Sequence, residues 1–153
     1  MFKAVKDILV LCTGNSCRSQ MAEGYLRHFA KHRANIYSAG IETHGINPRA
    51  IQVMLEDEID ISNHTSNNID EYTAIDFDLI LTVCNNAEQN CPYFHSKALR
   101  FHYNFPDPAK AKGTEEEILQ EFRATREMIK AYCEKFLKIH LYSNSQSFEN
   151  FKL

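Results

Sequence analysis

The sequence predicts an α/β fold in which a four-stranded parallel sheet is flanked by helices on both faces. Two observations predict it. Short apolar runs alternate along the chain with segments of helical periodicity, the pattern of strands joined by helical crossovers. The strongest runs, Ile8 to Leu11 and the segment DLILTV from Asp78 to Val83, are apolar at nearly every position. Strands covered on both faces read that way.

The first strand is placed at Asp7 to Leu11. A polar loop containing Gly14, Asn15 and Ser16 follows, and then Met21, Ala22, Tyr25, Leu26, Phe29 and Ala30 recur on one helical face. The second strand is Asn35 to Ala39, closed by Gly40. Asn47-Pro48 reads as a helix entry, with Asn47 as cap and Pro48 at the first helical position. Asp78 to Val83 is the third strand and puts Cys84 at its carboxyl end; Ala98 to Tyr103 is a weaker fourth. Thr114 followed by Glu117 has the capping-box pattern and opens a long helix with Ile118, Leu119, Phe122, Ile129, Tyr132, Cys133 and Phe136 on its buried stripe. Periodicity fades from His140, so residues 1–139 read as a single catalytic domain and 140–153 as a C-terminal tail.

The 153 residues fit one domain with one core, and the formal charge of −3 gives no basic footprint for nucleic acid or an anionic membrane. No apolar run is long enough for a membrane span or a signal-peptide core. The chain therefore reads as a soluble, cytoplasmic monomer. Five cysteines, Cys12, Cys17, Cys84, Cys91 and Cys133, are an odd number for a static disulfide framework. The Cys84-x6-Cys91 spacing is wider than a zinc knuckle and lacks a second close pair. The histidines, His44 and His64 among them, form no metal-ligand spacing and read as surface or structural groups.

The chemistry concentrates in the loop Cys12-Thr13-Gly14-Asn15-Ser16-Cys17-Arg18-Ser19. A cysteine and an arginine flank five residues between a strand and a helix. Successive N–H groups of Thr13, Gly14, Asn15, Ser16, Cys17 and Arg18 can turn inward and cradle a tetrahedral anion. Gly14 is expected to supply backbone freedom, and Arg18 can donate two parallel hydrogen bonds to two oxygens. The same field favours the thiolate of Cys12, and Ser19 could add a hydroxyl hydrogen bond, giving a nucleophile ionised at rest. Cys17 need not point at the anion and reads as a buried thiol; Cys133 reads as core.

At this loop the sequence resembles the low-molecular-weight tyrosine phosphatase superfamily and, more fully, its thioredoxin-coupled arsenate reductases. The resemblance is carried by CTGNSCRSQMAEG from Cys12, YSAGIETHGINPRAI from Tyr37, DISNHTS from Asp60, LTVCNNAEQNCP from Leu81 and FPDPA from Phe105. It implies a three-cysteine relay. Cys12 attacks arsenate, Asp107 protonates the leaving oxygen, Cys84 attacks Cys12 to release arsenite, and Cys91 moves the disulfide to Cys84–Cys91 for reduction by thioredoxin. The relay needs no cofactor. Some of these reductases bind potassium, and Asn15, Glu23 and Ser38 match positions of that site, although Asn67 stands where the family has an aspartate. The alternative is a cysteine phosphatase using Cys12, Arg18 and Asp107 alone. Against it, Asp107-Pro108 is followed by Ala109 and Lys110 rather than the aromatic residues that line an aryl phosphate cleft.

Overall fold

A computed structural model describes residues 5–90 and 97–142. Its sheet has four parallel strands, β1 (Lys6–Cys12), β2 (Ala34–Gly40), β3 (Leu79–Thr82) and β4 (Leu99–His102), in the order β2-β1-β3-β4. Each lies within a residue or two of its expected position. The helices are α1 (Arg18–Ala30), α2 (Pro48–Glu56), α3 (Asn85–Asn90) and α4 (Glu115–His140). Ile8, Leu9, Val10 and Leu11 are all fully buried. Successive strand side chains point to opposite faces, so the sheet is covered on both sides at β1. Each such side chain contributes roughly 1.5–3 kcal/mol of hydrophobic stabilisation.

The local signals hold. Asn47 accepts from the Arg49 N–H at 2.9 Å, and Thr114 and Glu117 form the reciprocal capping box of α4. α1 packs on α4, where Cys133 sits buried with its sulfur 3.9 Å from the Ala22 carbonyl. Cys133 is core, as expected. The boundary expected at residue 139 falls too early. α4 runs through His140, and the buried Tyr142 donates to the Phe29 carbonyl at 2.9 Å. The rest of the expected tail, 143–153, lies outside the described residues.

α3 was not expected. Asn-Asn-Ala-Glu-Gln-Asn carries no apolar stripe, and six residues are too few to be helical on propensity alone. Cys84 nucleates the turn: its carbonyl accepts from the Glu88 N–H at 3.1 Å and its sulfur from the Ala87 N–H at 3.4 Å.

The strand order places the site. From β1 the chain steps to β2 on one side and returns to β3 on the other. The carboxyl end of β1 is thus a switch point, where an α/β sheet opens a crevice. Cys12 ends β1 there, and the pairing of Leu11 with Thr82 brings Cys84 to the same edge.

Candidate active site

The loop from Cys12 to Arg18 is held from outside by its carbonyls. Cys12, Thr13, Gly14 and Ser16 carbonyls accept from the N–H groups of Ile41, Glu42, His44 and Asn47 at 2.8–3.3 Å. The Asn15 carbonyl accepts from Gln20 Nε2 at 3.1 Å and Ser66 Oγ at 3.0 Å, and that of Cys17 from the Met21 N–H at 2.9 Å. With every carbonyl drawn outward, the N–H groups form the inner surface, a concavity suited to an anion. The strap 41–47 that does most of this work was invisible in the sequence, because its contribution is backbone. Gly40 makes the fit possible: a Cβ there would meet the Glu42 carbonyl at 2.3 Å and the Asn15 nitrogen at 2.7 Å.

One expectation about the loop changes. The left-handed residue is Asn15, at φ 49°, rather than Gly14. Gly14 lies against the exposed ring of His44, which would have to turn aside for a Cβ there. Asn15 is fully buried, and its side chain holds the unusual backbone in place. It donates to Ser19 Oγ and Ser38 Oγ, each at 2.9 Å, and accepts from the Asn67 N–H at 2.8 Å. Asn tolerates this region better than most residues, and three such bonds offset its cost. Ser19 is fully buried and its hydroxyl oxygen accepts from Asn15, which leaves its O–H proton to donate elsewhere.

The loop lines a cavity of about 280 Å³ with Arg18, Asp107, Ala109, Lys110 and His44. Arg18 donates from Nη1 to the Phe105 carbonyl at 3.1 Å, and Nη2 lies 3.6 Å from Asp107 Oδ2. Its Nε is buried without a partner. An orphaned guanidinium N–H is costly, and a bound oxyanion would satisfy it. Asp107 is held by the Ala109 N–H at 3.1 Å and shares the cavity with Cys12. His44 and Lys110 are site residues that sequence reasoning missed. Both are ordinary surface residue types, and only the path of the chain brings them to the rim. Among the described residues no Phe or Tyr lines the cavity.

Cys84 is the second feature of the site. Its sulfur lies 3.2 Å from Thr13 Oγ1, next to Cys12 in the loop, and its ionisation is tied to that of Cys12. Cys84 is pulled down to about 5, chiefly by the Cys12 hydrogen bond, with help from the Thr13 hydroxyl, the Ala87 N–H and Arg18. The same bond, followed by burial, holds Cys12 well above the ordinary thiol range, against the lowering influence of Arg18 and the Thr13 N–H. The two sulfurs thus hold one proton between them and titrate as a unit. Within the pair, Arg18 and the Thr13 N–H favour the charge on Cys12, the expected nucleophile. Cys17 is buried and pushed up to about 12, first by burial and then by Asp107, as suits an inert thiol. Cys91 lies outside the described residues.

Residues 7–147 match the model of the low molecular weight phosphotyrosine protein phosphatase family. The chain belongs to that family. Within it, the chain is 48% identical over 131 residues to arsenate reductase 1 of Staphylococcus saprophyticus, covering 86% of this chain and 95% of that protein. It is 49% identical over 124 residues to an arsenate reductase of Halalkalibacterium halodurans, covering 81% and 89%. A solved structure, an arsenate reductase in the phosphate binding state, superposes with a TM-score of 0.75 at 30% identity, covering 87% of this chain and 97% of that one.

The potassium site implied for some family members does not fit these residues. Asn15, Glu23 and Ser38 do cluster, but their oxygens already serve internal donors. Glu23 Oε1 accepts from Ser38 Oγ at 2.6 Å, and Oε2 from Arg27 Nε at 2.8 Å with His64 Nε2 at 3.4 Å. Asn15 Oδ1 is taken by the Asn67 N–H. Arg27 is also anchored by the Ile36 carbonyl at 2.6 Å, so the cation in this cluster is a guanidinium. Among the described residues no group of three or more His, Cys, Asp or Glu is placed to hold a metal ion. None of their helices is long and apolar enough to cross a membrane.

Proposed function

We propose that this chain reduces arsenate to arsenite through a relay of Cys12, Cys84 and Cys91, with thioredoxin as the reductant of the final disulfide. The observation that supports it most is a second thiol at the oxyanion loop: Cys84 lies at the same sheet edge as Cys12, with its sulfur 3.2 Å from Thr13 Oγ1. A hydrolase needs one nucleophile and water. A two-electron reduction needs a second thiol against the first, because arsenic(V) accepts an electron pair readily and phosphorus(V) does not.

The steps balance as follows. Arsenate binds to the loop N–H groups and the Arg18 guanidinium. Cys12 thiolate attacks arsenic, an oxygen leaves as water with a proton from Asp107, and the shared proton remains on Cys84 until it is lost to solvent. Cys84 thiolate then attacks the Cys12 sulfur. The S–As bond breaks with its electron pair going to arsenic, which leaves as arsenite, and a Cys12–Cys84 disulfide remains. Cys91 thiolate attacks Cys84 and releases Cys12 as thiolate. Seven helical steps, the sequence separation of Cys84 and Cys91, span roughly 10.5 Å, whereas disulfide Cα atoms lie within about 6.8 Å. Unwinding of α3 would bring Cys84 within reach of Cys91 and carry the disulfide toward an external dithiol. A reducing compartment such as the cytoplasm suits this cycle.

Hydrolysis of small phosphate monoesters is the second reading, favoured by the intact Cys12, Arg18 and Asp107 of the family loop. The Ala109 and Lys110 that follow Asp107-Pro108, in place of aromatic residues, favour it as a side reaction. The test is arsenate-dependent NADPH oxidation with thioredoxin and thioredoxin reductase, beside para-nitrophenyl phosphate hydrolysis, for wild type, Cys84→Ser and Cys91→Ser. Robust arsenate turnover lost in either variant, with ester hydrolysis kept, supports the relay. Absent arsenate turnover in wild type, with fast hydrolysis indifferent to both substitutions, makes the chain a phosphatase.

A further inference from the structure

α3 has two tasks that conflict. While Cys84 waits beside Cys12, the helix must stay wound, because the Ala87 N–H that supports the Cys84 sulfur belongs to it. When Cys84 passes to Cys91, unwinding would ease the transfer. Six residues cannot sustain a helix unaided, so something outside α3 must set the balance.

His102, at the end of β4, touches two turns of α3 at once. Its Nε2 lies 3.0 Å from Asn85 Oδ1, and its Nδ1 lies 3.0 Å from Glu88 Oε2 and 2.8 Å from Thr82 Oγ1. Asn85 and Glu88 are three apart and so share one helix face. The ring thus faces both side chains, with the Thr82 hydroxyl of β3 against its Nδ1. Lesser tethers join only the first turn: Asn104 Oδ1 accepts from the Asn85 N–H at 3.3 Å, and Asn86 Nδ2 donates to Thr13 Oγ1 at 3.2 Å. None of these residues lines the oxyanion cavity except Thr13.

We infer that His102 is a positioning residue for the disulfide relay, a clamp that keeps α3 helical with Cys84 on Cys12 and whose release lets Cys84 reach Cys91. The inference rests on the relay reading above. It assigns no contact with arsenate to His102. Its effect is confined to the step that moves Cys84 away from the loop.

The experiment uses the full chain carrying Cys12→Ser, so that Cys84 and Cys91 remain as the exchanging pair, with and without His102→Ala. Oxidised glutathione is the oxidant: the two thiols lose two electrons and two protons, and one glutathione disulfide becomes two glutathione. Peptide mass mapping follows the Cys84–Cys91 disulfide in time. The clamp predicts formation about tenfold faster without His102, and faster deuterium exchange at the Ala87 and Glu88 amides. His102→Gln, which keeps a donor for Asn85, should fall between. Glu88→Gln, an exposed change, gives a second route should His102→Ala fold poorly, and should also speed the reaction. Para-nitrophenyl phosphate hydrolysis by His102→Ala in the Cys12-containing chain should stay within about twofold of wild type, showing an intact loop. Equal rates of disulfide formation in all chains overturn the clamp and leave the relay standing. Absence of the Cys84–Cys91 disulfide in every chain overturns the relay and the clamp with it.

Discussion

The oxyanion loop and the α3 segment meet at one pair of sulfur atoms, yet they are built in opposite ways. Around Cys12 every loop carbonyl is tied down, Asn15 and Ser19 are fully buried, and Gly40 leaves no room for a side chain. Around Cys84 a six-residue helix buries Ala87 alone among its described residues, and its Asn85, Asn86, Glu88 and Gln89 face solvent. The difference follows from the chemistry. Stabilising an anion needs dipoles that do not reorganise during reaction. Handing a disulfide onward needs a segment whose winding is worth little more than its unwinding.

The contrast can be broken most decisively at Cys84. Cys84→Ser should lower arsenate turnover by more than about a thousandfold while para-nitrophenyl phosphate hydrolysis stays within about threefold. Loss of both activities would show the two regions to be one unit. Asn15→Ala attacks the rigid side. It removes three buried hydrogen bonds and the residue suited to the left-handed backbone, so both activities should fall about a hundredfold, with about 2–4 kcal/mol lost in chemical denaturation. Retained hydrolysis would mean that the strap 41–47 holds the loop alone.

The proton shared across the boundary gives a pH prediction. A depressed thiol pKa means that thiolate dominates above it, so alkylation of Cys84, followed by peptide mapping, should persist down to about pH 5. The Cys12 hydrogen bond is the largest cause, so in Cys12→Ala the inflection should climb toward the ordinary value of 9.0. An unmoved inflection would show that Thr13 and the α3 amide stabilise the thiolate by themselves. At the cavity rim, Lys110→Ala should raise KM for arsenate about threefold with kcat unchanged, an effect that shrinks in high salt. The smallest effect should come from exchanging potassium for sodium or choline at constant ionic strength, less than about twofold in turnover, because Arg27 already supplies the charge at Glu23. A several-fold activation specific to potassium would show that Arg27 yields its place.

What the sequence determined by itself were features written over a few neighbouring residues. Both end caps, Asn47 and the Thr114/Glu117 box, lie one helical turn from the groups they satisfy. The buried runs mark β1 and β3 through their own composition, and Cys12 and Arg18 are fixed at the two ends of one short loop. Tertiary structure decided what depends on register and on backbone donors. Thr13 and Cys84 stand 71 residues apart and meet because β1 pairs with β3. The outward pull on the loop carbonyls comes from N–H groups that every residue type carries, so no side chain announces it. Arg27 matches a helix-surface residue until β2 brings Ser38 and the Ile36 carbonyl beside it. The charge on the sulfur pair was the last thing to be set. A thiol's ionisation depends on which donors surround it in space, and those donors arrive only when the sheet has closed.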